Sequence, residues 1–175
     1  MATEGPVTEV PALGSQHSAL ALTLRVNGED RYVTVRSQHT LLEALRDQVK
    51  LLSVREGCGI GMCGACTVLV DGQPISSCLT LAAMAEDHEI LTVEGLGSPG
   101  QLDLVQESFL ACTGFQCSYC TPGILLTTKA LLDENPDASD DEIRDYLSGN
   151  LCRCGSYVKI MDAVREAISR LHPPK

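Results

Sequence analysis

Cysteine spacing is the feature that most constrains this chain. Of its nine cysteines, eight fall into two tight groups within 175 residues. That density is lower than in small disulfide-stabilised scaffolds, and residues 1–18 have neither the basic start nor the apolar stretch of a secretory signal. Clustered thiols of this kind are expected to bind metal in a reducing compartment, so the sequence predicts a cytoplasmic, metal-binding protein.

The charge balance narrows the classes of partner. With 13 Lys and Arg against 23 Asp and Glu, the formal net charge is −10, which disfavours binding to a nucleic-acid backbone. No run of about 18 apolar residues is present, so no membrane-spanning helix is predicted. Hydrophobic residues make up 44% of the chain, which is enough for the cores of one or two domains.

Composition and periodicity divide the chain into four stretches. Residues 1–18 are rich in Pro, Gly, Ser and Thr and are predicted to be a flexible tail. Strand-like alternation with one short helix predicts a small α+β unit over residues 19–95. Residues 96–102 are predicted to be a linker, and four helical segments predict an all-α bundle over residues 103–175. The predicted fold class is therefore α+β, with a strand-rich domain followed by a helical one.

Turn and cap residues locate the individual elements. Asn27-Gly28 and Asp71-Gly72 predict two β-hairpins, and Thr40 predicts a capped short helix between them. Thr121 is expected to cap a helix that Asn135-Pro136 ends. The remaining helices are predicted near 103–113, after a capping box at Ser139 and Glu142, and over 160–171.

The first cysteine group matches an iron–sulfur loop. Its spacing, C-x4-C-x2-C-x11-C, begins with the plant-type 2Fe–2S arrangement. Four thiolates make such a cluster anionic, so the loop must turn backbone N–H groups inward, and positive φ angles and close approach favour glycine there. A structural zinc site is the alternative, although zinc sites more often use paired C-x2-C knuckles. The group and its glycines are Cys58, Cys63, Cys66 and Cys78, with Gly57, Gly59, Gly61 and Gly64.

The second cysteine group leaves two ligand sets open. Cys117, Cys120, Cys152 and Cys154 form two close pairs, whereas Cys112 with Cys117 and Cys120 repeats the plant-type triplet. Cys120 precedes a helix start, where free N–H groups favour an anionic cluster. Cys112 lies among apolar residues of a predicted helix, so a small buried core residue is the alternative for it. Zinc is also an alternative at this site.

Three segments resemble one known family. REGCGIGMCGACTVLVDG, FQCSYCTPG and GNLCRCGSY look like signature segments of the iron–sulfur subunit of the xanthine oxidase family of molybdenum hydroxylases, and the similarity covers about Leu20 to Leu171. The resemblance implies a β-grasp ferredoxin-like domain followed by a four-helix bundle, each with one 2Fe–2S cluster. It also implies an electron-transfer subunit that passes electrons one at a time from a molybdopterin centre through both clusters to FAD or another acceptor.

The resemblance further implies partners and a role for each matching residue. The partners are a large molybdopterin-binding subunit and a medium FAD-binding subunit in a hetero-oligomer, and this chain has no catalytic substrate site of its own. Gln116 and Cys154 are expected to contact the pterin, and Cys112 is not a ligand. The expected ligands are Cys58, Cys63, Cys66 and Cys78 for the outer cluster, and Cys117, Cys120, Cys152 and Cys154 for the inner cluster.

Departures from the family pattern bear on the substrate. Ser118 stands where the family commonly has Gly, and Gly155-Ser156 stands where it commonly has Thr-Gly. The chain looks closer to the bacterial aldehyde and isoquinoline- or nicotinate-type branch, which implies an aldehyde or an N-heterocycle as substrate. The alternative functions are a freestanding two-cluster ferredoxin-like carrier and a zinc-stabilised interaction module.

A G-x-G-x-x-G string from Gly59 to Gly64 lacks a strand-to-helix context and is not interpreted as a nucleotide site.

Overall fold

A five-stranded mixed sheet forms the first half of the protein. The computed structural model describes residues 19–98 and 100–172, so the predicted tail at residues 1–18 lies outside the described residues. The strands are β1 Ala19–Val26, β2 Glu29–Arg36, β3 Thr67–Val70, β4 Gln73–Ser76 and β5 Glu89–Leu91. Their order is β2-β1-β5-β3-β4, with β1 parallel to β5 and the other neighbours antiparallel.

Both predicted hairpin turns are confirmed. Asn27 and Gly28 have φ angles of 54° and 79°, and Asp71 and Gly72 have φ angles of 49° and 81°. Positive φ at both central residues matches the twist of the flanking strands. These turns fix the pairing of β1 with β2 and of β3 with β4. The second turn thereby also positions Cys66 and Cys78, which lie on either side of the β3–β4 hairpin.

Helices dominate the second half, and capping boxes begin two of its helices as well as the short helix of the first half. Thr40, Asp103 and Ser139 each accept a backbone hydrogen bond at the start of a helix, and the third helical residue bonds back to the cap. In the described residues 19–98 and 100–172, no helix is both long enough and apolar enough to cross a bilayer. The helices are α1 Leu41–Glu43, which continues as a π-helical turn Ala44–Gln48, α2 Leu104–Ala111, α3 Thr121–Glu134, α4 Asp140–Tyr146 and α5 Tyr157–Leu171.

The prediction that Thr121 caps α3 is wrong. Cys120 is the N-cap residue, Thr121 is the first helical residue, and Asn135 ends the helix as predicted. Proline is tolerated anywhere in the first helical turn because its missing N–H would have no partner there. Pro122 therefore allows the helix to begin one residue earlier than the cap pattern suggests, which brings Cys120 to the helix terminus.

Helix α3 joins the two halves of the molecule. One hydrophobic core lies under the sheet against α1, and a second lies among α2 to α5. A third group of buried residues connects them, because Leu69 of β3 packs against Leu126 and Ala130 of α3. The strand-rich half and the helical half are thus held by apolar contact as well as by the chain between them.

Candidate iron–sulfur centres

The β3–β4 hairpin brings the last two cysteines of the first group together. Cys66 directly precedes β3 and Cys78 follows β4, and Thr67 pairs with Ser76 at the open end of the hairpin. The Ser77 hydroxyl donates to the Cys66 carbonyl at 2.6 Å, which holds the two strand ends in register. Burial raises the pKa of the Cys66 thiol to about 11, and the nearby Cys78 thiol contributes to the shift.

The loop from Gly57 to Cys66 wraps around its own sulfur atoms. Backbone N–H groups of Ile60 and Met62 donate to the Cys58 sulfur at 3.5 Å and 3.3 Å. These two donors, the Ile60 N–H first, lower the pKa of the Cys58 thiol to about 7, and the neighbouring Cys63 thiol adds to the effect. The loop therefore stabilises a thiolate, which is the form of cysteine that binds metal.

Glycines shape this loop through the positive φ angles and the close backbone approach that the sequence predicts. Gly59, Gly61 and Gly64 have φ angles of 66°, 73° and 67°, in the left-handed region that other residues rarely adopt. Gly57 has no such angle, but a Cβ there would lie 2.8 Å from the Cys63 sulfur. Inward N–H groups and a backbone that leaves room at the sulfurs fit a bound 2Fe–2S cluster.

The second cysteine group forms two pairs at helix termini. Cys117 lies beside Cys154, and Cys120, the N-cap of α3, lies beside Cys152 just before α5. The N–H of Tyr119 lowers the pKa of the Cys117 thiol, with help from Cys154. Burial raises the pKa of the Cys120 thiol to about 12. Within residues 19–98 and 100–172, no three Cys, His, Asp or Glu side chains are placed so that together they could hold a single metal ion.

Ser118 occupies a position that favours glycine. Its φ angle is 60°, in the left-handed region, so the turn between Cys117 and Cys120 has the backbone conformation for which the family commonly has Gly. The Ser118 carbonyl accepts a hydrogen bond from the Arg55 guanidinium, which also lies 5.3 Å from the centre of the Tyr119 ring. This contact fixes the strained turn to the segment that leads into the first loop.

A cavity of about 400 Å³ is lined by one cysteine of the first group and three of the second. The Leu151 N–H donates to the Cys63 carbonyl at 3.0 Å, and the buried Asn150 amide donates to the Gly64 carbonyl at 3.2 Å. Gly123 of α3 packs on the same carbonyl, since a Cβ there would lie 2.1 Å from its oxygen. The walls of the cavity include Gly57 and Cys63 from the first loop, and Cys117, Cys120, Cys152 and Tyr157 from the helical half.

Two further predicted residues lie at the exposed side of the second group. Cys117 and Cys154 are exposed, in contrast to the buried Cys152, and the Gln116 amide donates to the Cys154 carbonyl at 3.5 Å. Cys112 is instead the C-cap of α2, where it packs half-buried against the helical core.

Several residues that fix the two groups relative to each other were not assigned a role from the sequence. Tyr119 donates through its hydroxyl to the Glu56 carbonyl at 2.6 Å, in addition to the contacts of Arg55 and Asn150. Tyr119 and Asn150 lie within the signature segments described above, and this location is the one sequence feature that could have marked them. Their partners lie more than 60 residues away along the chain.

Comparisons with known proteins agree with this architecture. Residues 24–92 match the family described as 2Fe-2S iron-sulfur cluster binding domain, and residues 92–165 match the 2Fe-2S binding domain family. The chain is 48% identical over 151 residues to the nicotinate dehydrogenase small FeS subunit of Eubacterium barkeri, covering 86% of this chain and 96% of that one. It is 42% identical to the aldehyde oxidoreductase iron-sulfur-binding subunit PaoA of Escherichia coli O157:H7, covering 93% of this chain and 77% of that one.

A solved structure extends the likeness to the fold. A chain of quinoline 2-oxidoreductase from Pseudomonas putida 86 superposes with a TM-score of 0.83 at 43% identity, covering 87% of this chain and 94% of that one. Two consecutive 2Fe–2S domains, the second helical, define an iron–sulfur electron-transfer protein. The chain belongs to the family of iron–sulfur small subunits of the xanthine-oxidase-type molybdenum hydroxylases, so the predicted resemblance and the α+β fold class are confirmed.

Proposed function

We propose that this chain carries electrons from a large molybdopterin-binding subunit to a medium FAD-binding subunit or another acceptor in a hetero-oligomer. When bound, each 2Fe–2S cluster accepts and releases one electron. The chain's own residues supply position, a low dielectric and hydrogen bonds at the sulfurs. The ligands proposed are Cys58, Cys63, Cys66 and Cys78 for the outer cluster, and Cys117, Cys120, Cys152 and Cys154 for the inner cluster.

The observation that carries this proposal is the hydrogen bond between the two ligand segments. It joins the carbonyl of Cys63 to the N–H of Leu151, the residue before Cys152, at 3.0 Å. Asn150 adds a buried bond between the same segments. A chain that stored metal in two independent domains would not need hydrogen bonds that hold its two cysteine segments against each other. An electron relay does need this arrangement, because the rate of electron transfer depends on a short and fixed distance between the two clusters.

The exposed side of the inner group is proposed to meet the large subunit. There Gln116 and Cys154 are expected to contact the pterin, and their mutual hydrogen bond supports a joint role. Relatives named for nicotinate and aldehyde substrates support an aldehyde or an N-heterocycle as the substrate of the complex. The substrate pocket is expected on the large subunit.

Domain limits and location are also part of the proposal. We propose a ferredoxin-like domain at residues 19–95, a linker at 96–102 and a helical domain at 103–175. A cytoplasmic location is proposed because clustered reduced thiols suit a reducing compartment. Cell fractionation with antibody detection of the chain tests the location, and recovery from the periplasm would contradict it.

Iron and sulfide analysis with EPR spectroscopy of the dithionite-reduced protein tests the proposed function. We expect four iron atoms and four sulfides per chain and two distinct rhombic signals, because each set of four thiolates holds one 2Fe–2S cluster. Zinc with no EPR signal would instead indicate a structural metal protein. Size-exclusion chromatography with mass identification then separates a complex of three kinds of subunit from a freestanding monomeric carrier.

A further inference from the structure

Arg55 is a partly buried cation without an acidic partner. Within residues 19–98 and 100–172, its guanidinium forms no ion pair with a carboxylate. The carboxylate of the neighbouring Glu56 lies over the first loop, because a Cβ at Gly59 would be 3.1 Å from its Oε1. Removing a cation from water is costly unless an opposite charge is near, so an anion is expected beside Arg55.

Contacts at both ends hold Arg55 between the two cysteine groups. Its backbone N–H donates to the carbonyl of Ala65, the residue before Cys66, at 3.2 Å. Its guanidinium donates to the Ser118 carbonyl in the turn of the second group and lies 5.3 Å from the centre of the Tyr119 ring. The positive charge is therefore fixed beside the second group and does not move freely in solvent.

We propose that Arg55 supplies the positive charge that stabilises the reduced inner cluster and thereby raises its reduction potential. This inference rests on the proposed function, in which Cys117 and Cys120, on either side of the turn that Arg55 contacts, are inner ligands. Reduction adds one electron, and so one negative charge, to a cluster that four thiolates already make anionic. A fixed cation attracts the reduced form more strongly than the oxidised form, which shifts the equilibrium toward reduction.

Burial distinguishes Arg55 from a second cation at the inner ligands. Arg153 lies between Cys152 and Cys154, but it is exposed. Water and salt screen an exposed charge more than a partly buried one, so Arg55 is expected to have the larger effect. Arginine also suits the position, because its guanidinium stays charged and can bind a carbonyl while it stacks on an aromatic ring.

Redox titration of the holo-protein, followed by EPR, tests the role of the charge in two variants. Arg55→Gln keeps an N–H donor for the Ser118 carbonyl but removes the charge, whereas Arg55→Lys keeps the charge. At an effective dielectric constant of about 20, unit charges roughly 12 Å apart change an equilibrium about tenfold. We expect the equilibrium constant for reduction of the inner cluster to fall about tenfold in Arg55→Gln, which is 59 mV for a one-electron couple. Arg55→Lys should stay close to the parent.

Arg46→Gln is the matched control. The Arg46 guanidinium donates to the carbonyl of Val54, the residue before Arg55, at 2.6 Å. This variant removes the same unit charge and a similar bond to a backbone carbonyl, but it leaves the turn of the second group untouched. We expect a smaller shift of the inner potential than in Arg55→Gln. An equal shift would show an effect of net charge alone and would refute the assignment to Arg55.

The remaining outcomes separate this inference from the proposed function. Two intact clusters with an unchanged inner potential in Arg55→Gln would overturn the inference and leave the proposed function standing. Equal falls in Arg55→Gln and Arg55→Lys, or loss of the inner cluster in both, would show that the guanidinium shape matters and the charge does not, which also refutes it. Loss of the inner cluster in Arg55→Gln alone supports the charge. A parent protein without iron would instead refute the proposed function.

Discussion

Replacing Gly123 by alanine tests whether close packing sets the separation of the two cysteine groups. Gly123 lies in the first turn of α3, and a Cβ there would be 2.1 Å from the Gly64 carbonyl oxygen. That distance is more than 1 Å short of ordinary van der Waals contact, which begins at 3.4 Å. The same oxygen accepts bonds from the Asn150 amide, the Thr67 N–H and the Thr67 hydroxyl. The first loop therefore cannot move away from α3 without disturbing three hydrogen bonds.

In Gly123→Ala, the expected change in the free energy of unfolding has the opposite sign to the gain in helix propensity. Alanine is favoured over glycine inside a helix by about 1 kcal/mol. Overpacking costs about 1–3 kcal/mol, and leaving the buried Asn150 amide unpaired costs about 1–3 kcal/mol more. We expect Gly123→Ala to lower the free energy of unfolding by about 3 kcal/mol, the middle of the range of about 1–5 kcal/mol that these contributions give. The displacement should also lengthen the path between the two clusters.

Denaturant unfolding and EPR spectroscopy of the fully reduced protein measure these effects. Spin–spin interaction between two reduced clusters weakens steeply with distance. We therefore expect the splitting of the EPR signals to be smaller in Gly123→Ala than in the parent. Gly149→Ala is the control, because a Cβ at Gly149 meets nothing within 4 Å. If Gly123→Ala unfolds at the parent's denaturant concentration or higher, with unchanged splitting, the packing argument is wrong.

Two further predictions follow from the cysteine assignments and from one hydrogen-bonded carboxylate. Cys154→Ser is expected to lose about half of the iron, whereas Cys112→Ser should keep all of it; an iron loss in the Cys112 variant would contradict the ligand assignment. Burial raises the pKa of Glu94, but hydrogen bonds from Ser53 and Thr92 outweigh it and leave that pKa below 4.5. Because the pKa is lowered on folding, the ionised Glu94 stabilises the protein above pH 4.5, and this contribution is lost as the pH falls through the lowered value. Urea titrations across pH 3–6 should therefore show a smaller pH dependence for Glu94→Gln than for the parent, and equal dependence would refute this assignment.

Local chemistry made much of the fold predictable. Asn-Gly and Asp-Gly turns prefer positive φ at both positions, so the two hairpins could be placed without knowledge of their partners. The capping boxes at Thr40 and Ser139 are equally local, since each cap and its partner are three residues apart. The cysteine spacings also depend on short segments, which is why the outer loop and its glycines were recognisable.

Long-range contacts were beyond the reach of sequence patterns. Thr121 resembles a good cap, but the position of Cys120 depends on its pairing with Cys152, a distant residue. Gly123 carried only a weak signal, as a glycine at a helical position where it lowers helix propensity. Its purpose becomes clear only when Gly64, 59 residues earlier, is seen against it.

The placement of α3 between the two cores has a consequence for how the protein can be divided. Since Leu126 and Ala130 pack against Leu69 of the sheet, a protease cut between the halves severs the backbone without exposing that interface to water. The nicked molecule is expected to persist as one particle, and each fragment made alone would present an apolar surface that invites aggregation.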